Sequence, residues 1–133
     1  MNANAPLTSI LKVETHRQEA KVGFIIGADL GDIRKTVEIN LGSENAMMFA
    51  HALRQAERHL ATGKLGNINC RPSICIEIDI DLNRGGIVLT AYLESGEHYF
   101  FLHGSSTINR CVDALLASAL KLQTPNREAV TWH

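Results

Sequence analysis

A chain of 133 residues with 45% apolar and 20% charged residues is long enough for one domain with a shared core, whereas separate halves of about 60 residues would each be marginal. Its formal net charge of −1 gives no general attraction for phosphates, so nucleic-acid binding would need a local basic patch. Met1 to Pro6 lacks the basic start and apolar run of a signal peptide, no apolar stretch approaches the roughly 18 residues that span a bilayer, and the odd set Cys70, Cys75 and Cys111 has no redox or zinc spacing. A cytoplasmic protein with reduced thiols is expected.

In chain order, residues 7–17 form a first strand, with Leu11, Val13 and Thr15 alternating against Lys12, Glu14 and His16. Residues 21–27 form a second, Ala28 to Asp32 a turn, and residues 34–41 a third strand that turns Val37, Ile39 and Leu41 to the core. Ser43 is the expected cap of a helix reaching about Ala61, because its hydroxyl can accept a hydrogen bond from an otherwise orphan backbone N–H. Ala46, Phe49, Ala50, Leu53, Ala56 and Leu60 recur at helical spacing, and Thr62-Gly63 stops the helix.

A linker rich in Gly and Asn follows over residues 63–72. Ile74, Ile76, Ile78, Ile80 and Leu82 then alternate with Cys75, Glu77, Asp79 and Asp81, the cleanest strand signal in the chain. Turns at Asn83 to Gly86 and Ser95-Gly96 lead into strands over 87–93 and 98–103, completing a meander. A second helix, capped by Ser105, Ser106 or Thr107, runs to about Gln123 with a broad apolar arc that includes Leu116 and Leu120.

The two halves match at an offset of 62 residues: Gly42-Ser43 falls on Gly104-Ser105, Ala52-Leu53 on Ala114-Leu115, Leu60 on Leu122, Thr62 on Thr124 and Ile25 on Ile87. Each copy of such a repeat is usually one unit that cannot bury its apolar face alone. The expected fold is α+β, with two βββα pseudo-repeats (7–62 and 72–124) related by an approximate two-fold axis. Six main antiparallel strands pack two helices in one domain, with flexible ends at 1–6 and 124–133, the latter holding Trp132.

Phosphate-loop, nucleophile-elbow, dinucleotide-binding and His-Glu-x-x-His motifs are all missing from the sequence, which weighs against an enzyme and names no catalytic residue or cofactor. The six histidines have no metal-ligand spacing among themselves, so no metal site is expected. Glu77, Asp79 and Asp81 share one strand face, joined across the hairpin by Tyr92 and Glu94. Such a negative stripe suits a basic protein partner and repels nucleic acid. Leu116 and Leu120, on the outer edge of the wide helical arc, are candidate contacts of a homo-oligomer.

Thr36-Val37-Glu38-Ile39-Asn40-Leu41, followed by Gly42-Ser43-Glu44 and a helix, resembles the last strand and helix of single-stranded nucleic-acid-binding folds of the positive-cofactor, PUR and Whirly type. The resemblance is one of topology and covers the repeat pattern; those families usually carry four strands per unit where three are read here. It implies single-strand binding, for which Arg17, Lys21, Arg34, Lys35 and Arg84 are the available cations and Tyr92, Tyr99, Phe100 and Phe101 the available stacking rings. A protein-binding, non-enzymatic role is the first expectation, single-strand binding the second, and a small-molecule site or small enzyme with a pocket between halves or subunits the third.

Overall fold

The computed structural model describes residues 5–63, 70–73 and 75–123. The tail with Trp132, most of the Gly/Asn linker, Ile74 and residues 1–4 lie outside the described residues. The first unit is an antiparallel sheet of β1 (Ile10–His16), β2 (Lys21–Asp29) and β3 (Arg34–Leu41), in that order, followed by α1 (Ser43–Thr62). Period-two alternation works as read: Val22, Phe24, Ile26, Ala28, Ile39 and Leu41 are buried beneath the helices while their neighbours turn outward.

The second unit is a sheet of β4 (Cys70–Ser73), β5 (Ile76–Asp81), β6 (Gly86–Leu93) and β7 (Gly96–His103), followed by α2 (Ser105–Gln123). β4 is the one strand the sequence pattern does not predict. It is short, contains Pro72 and pairs with β5 through an irregular register, as suits an edge strand with one side unpaired. Ile76, Ile78, Ile87, Leu89, Ala91, Phe100 and Leu102 form its inner face.

Both helices begin directly after a glycine rather than on a serine cap. The Gly42 carbonyl accepts the N–H of Ala46, Gly104 does the same for Ile108, and no side chain caps α1. Ser43 and Ser105 are therefore first helical residues. Gly42 is extended, φ −64° and ψ 164°, a conformation open to any residue, whereas Gly104 takes φ 84°, which favours glycine; glycine is accepted at N-caps generally. At the other end Gly63 takes a left-handed conformation, φ 65°, and ends α1 where the sequence places the stop.

The helices run antiparallel against each other and are crossed over the sheets. α1 lies chiefly on β4 and β5 of the second sheet, whereas α2 lies chiefly on β1 and β2 of the first and also reaches β7. A half-buried hydroxyl pair, Thr15 Oγ1 and Ser118 Oγ at 2.7 Å, ties α2 to β1. Phe24 meets Phe49 edge-on with ring centroids 5.0 Å apart, a favoured aromatic geometry. One continuous core results, drawing on both sheets and both helices. The broad apolar arc of α2 is thus taken up inside the chain, against two sheets and α1; Leu116 packs on the core and Leu120 stays exposed.

The chain start seals the seam between the sheets. Thr8 N–H donates to the Phe101 carbonyl and Phe101 N–H to the Pro6 carbonyl, each at 2.8 Å, while Ser9 N–H already bonds Gly27 in the first sheet at 3.0 Å. Residues 6–9 thereby pass from the edge of β7 to the start of β1, on its side of β2.

The repeat is real, but its register varies along the unit. Buried Leu53 matches buried Leu115 as the 62-residue offset requires. Ile25, however, is on the outer face and Ile87 on the inner, so that identity is not structural. The four-residue turns Arg17–Ala20 and Leu82–Gly85 are the equivalent points, which pairs Val22 with Ile87, Phe24 with Leu89 and Ile26 with Ala91. At their last positions sit Ala20, φ 54°, and Gly85, φ 71°. A left-handed backbone strains any residue with a Cβ by about 1 kcal/mol or more. Ala20→Gly should therefore stabilise the protein by about 1 kcal/mol, read as a higher urea midpoint with unchanged slope; an unchanged midpoint would show that this turn carries no strain.

Candidate functional site

With the helices on the inner side, the outer faces of both sheets carry polar clusters, although on the second Thr90, Val88 and Phe101 are buried, the last two packed with Ala5. On the second sheet, Glu77, Thr90 and Tyr99 form one cross-strand row, with Asp79, Val88 and Phe101 beside it. Tyr92 stands diagonal to Glu77 and directly opposite Glu97. The Tyr92 hydroxyl donates to Glu77 Oε2 at 2.9 Å, and the Tyr99 hydroxyl donates to Glu97 Oε2. Two phenols and three carboxylates, counting Asp79, so form a single polar surface.

Each tyrosine is fixed by the strand alternation that also fixes its acid. The phenol proton stabilises the adjacent carboxylate, so deprotonation would leave two anions face to face. Hydrogen bonding to Glu77, then loss of hydration and the Glu77 charge, push Tyr92 up to about 12. Tyr99 is raised for the same reasons by Glu97.

The stripe read from the sequence is shorter than expected. Asp79 is exposed and Glu77 half-buried, but Asp81 is only 3% exposed and accepts the backbone N–H of Arg84 at 3.1 Å. Its carboxylate builds the β5–β6 turn. Glu94 is exposed in the β6–β7 turn. Sequence reasoning missed Glu97 and Tyr99 as members of this face, although their i, i+2 spacing on one strand was the available signal.

The cations of the second expectation do not converge. Arg17 and Lys21 flank the β1–β2 turn, while Arg34 and Lys35 start β3 at the opposite end of the first sheet. Lys35 Nζ lies 5.4 Å from the Phe100 ring centroid. Arg84 covers the Phe101 ring at 3.9 Å and donates to the Ala5 carbonyl at 3.0 Å. Phe100 and Phe101 are buried, which removes them as stacking platforms. Burial also pushes the Cys111 thiol up to about 12, consistent with a small apolar core residue rather than a nucleophile.

On the first sheet the outer face holds Glu14, His16 and Glu38, whose ligand atoms lie within 4.8 Å of one another. His16 and Glu38 border an open pocket of about 410 Å³ lined also by Glu19, Lys21 and Asn40. Among the described residues this is where side chains of metal-ligating chemistry meet. Glu14 and His16 share a face by alternation, but Glu38 joins them only through the β1–β2–β3 register. No known protein-family profile matches the chain, and no curated protein matches its sequence.

The chain has two tyrosines, so alkaline absorbance titration reports only this face. Both should ionise above the ordinary value near 10, Tyr92 near 12, and Glu77→Gln should bring Tyr92 down towards 10. Because the folded value is raised, the stabilisation from this bond is complete below about pH 10 and is lost as pH rises through about 12. Ordinary titration of both phenols in the native protein would disprove the pairing.

Proposed function

We propose that this is a small cytoplasmic, non-enzymatic binding protein that meets a basic protein surface with the outer face of its second sheet. The observation carrying the reading is the concentration of Glu77, Asp79 and Glu97 around Tyr92 and Tyr99 on adjacent strands of a chain with net charge −1. Tyrosines held by carboxylates offer rigid, amphipathic contact area at low entropic cost. The surrounding negative charge speeds encounter with a cationic partner and disfavours nucleic acid. Glu94, exposed in the adjoining turn, extends the same field. No described helix is long and apolar enough to cross a membrane.

The variant E77Q/D79N/E97Q tests this reading, with Asp81 left intact because it builds a turn. Its thermal midpoint should stay within a few degrees of wild type, since exposed charges contribute little to stability. Capture of partners from the source cell at physiological salt should fall at least tenfold, and the salt dependence of what remains should flatten. Unchanged capture by the variant, or tight binding of labelled single-stranded DNA by the wild type at that salt, would replace this reading with the single-strand one.

A companion proposal concerns self-association. Leu120 on α2 and Met48 on α1 are 58% and 53% exposed on neighbouring antiparallel helices, and Leu116 lies half-buried one turn before Leu120. A symmetric dimer through this helix layer would cover them. Sedimentation at tens of micromolar should show a dimer that Leu120→Lys converts to monomer; a wild-type monomer under those conditions would rule it out.

A further inference from the structure

We propose that Glu14, His16 and Glu38 form a binding site for a first-row divalent transition metal, with Zn²⁺ the natural probe, on the outer face of the first sheet. The three residues come from β1 and β3 and meet above Gly23 of the intervening β2, which pairs with Glu14 on one side and Asn40 on the other. Any side chain at position 23 would fill the space they share. A Cβ built there would sit 2.5 Å from His16 Nε2 and 3.3 Å from Glu38 Oε1. Glycine thus opens a hollow in the middle of a strand face, where it otherwise weakens the strand.

The orientation of the donors is the second observation. His16 Nε2 lies 3.8 Å from Glu14 Oε2 and 3.5 Å from Glu38 Oε1, too far for direct hydrogen bonds, and is shielded from solvent without a hydrogen-bond partner. Those separations suit ligands around one ion: metal–ligand bonds of about 2.1 Å place neighbouring donors of a tetrahedron about 3.4 Å apart.

Glu14 also has its other oxygen secured, Lys12 Nζ holding Oε1 at 2.9 Å, while Asn40 Nδ2 stands at the limit of hydrogen-bond reach, 3.5 Å, from Glu38 Oε2. Outer partners of this kind orient metal ligands and are part of a working site. The Lys12 charge opposes a bound cation, and the two carboxylates outweigh it.

One imidazole and two carboxylates suit Zn²⁺ and its transition-metal neighbours better than Ca²⁺ or Mg²⁺, which favour oxygen alone. Three protein ligands leave at least one coordination position, and the pocket of about 410 Å³ that His16 and Glu38 line adjoins the cluster. An open position of that kind accepts water or an anionic ligand. Lys21, on the pocket wall, would favour an anion there.

Titration calorimetry of the full chain with ZnCl₂ should show one site with micromolar or tighter affinity. His16→Gln and Glu38→Gln should each weaken it at least tenfold. Gly23→Ala should do the same while leaving the fold intact, since the new methyl group meets only the ends of the His16 and Glu38 side chains. Nitrogen-15 spectra of the imidazoles should shift His16 Nε2 on adding Zn²⁺. Binding equally strong in His16→Gln would assign it to adventitious histidines and overturn the proposal. So would a wild type that takes up no Zn²⁺.

Discussion

The crossing of each helix onto the other unit's sheet is the constraint from which the rest of the structure follows. If α1 covered β2 and β3 alone and α2 covered β6 and β7 alone, the chain would divide into two small units, each too small to exclude much water from its core. Because α1 lies on β4 and β5 and α2 on β1 and β2, neither sheet is covered until both helices are in place. Folding must therefore be cooperative across the whole chain. The strap of residues 6–9, bonded to Phe101 and then to Gly27, reinforces this by making the two sheets nearly continuous.

The same crossing explains which positions agree between the repeats and which do not. Val22 and Ile87, Phe24 and Leu89, and Leu53 and Leu115 all face the shared core and remain apolar in both copies. The outer face carries no such requirement. There the turn-based register sets Glu14 against Asp79, His16 against Asp81, Gly23 against Val88 and Glu38 against Tyr99. In one copy these positions make an open hollow rimmed by acids and an imidazole. In the other, Val88 and Phe101 fill the hollow, and Ala5 closes over them.

Much of this fold was legible because its strands and helices obey simple periods. The α1 stop at Gly63, the end of α2 at Gln123 and the β5–β6–β7 meander follow from alternation and turn residues. β4 escaped because four residues containing Pro72 within a Gly/Asn-rich stretch carry no alternation to read. The acidic stripe was legible only in part: alternation assigns Asp81 to a face, but its burial depends on the Arg84 turn, which is tertiary. Likewise Glu14 and His16 announce a shared face at i, i+2, whereas Glu38 is invisible as their neighbour until β3 is set in register with β2.

That dependence on register bears on what kind of function the outer faces can hold. A cluster assembled from adjacent strands inherits the rigidity of the hydrogen-bonded sheet, so its donors are preorganised rather than gathered from a mobile loop. Both polar clusters have this construction: Glu14, His16 and Glu38 span β1 to β3, and Glu77, Tyr92, Glu97 and Tyr99 span β5 to β7. Neither is needed to complete the core beneath it. The inner faces and crossed helices supply the stability, and the outer side chains are left free to be chosen for what they bind.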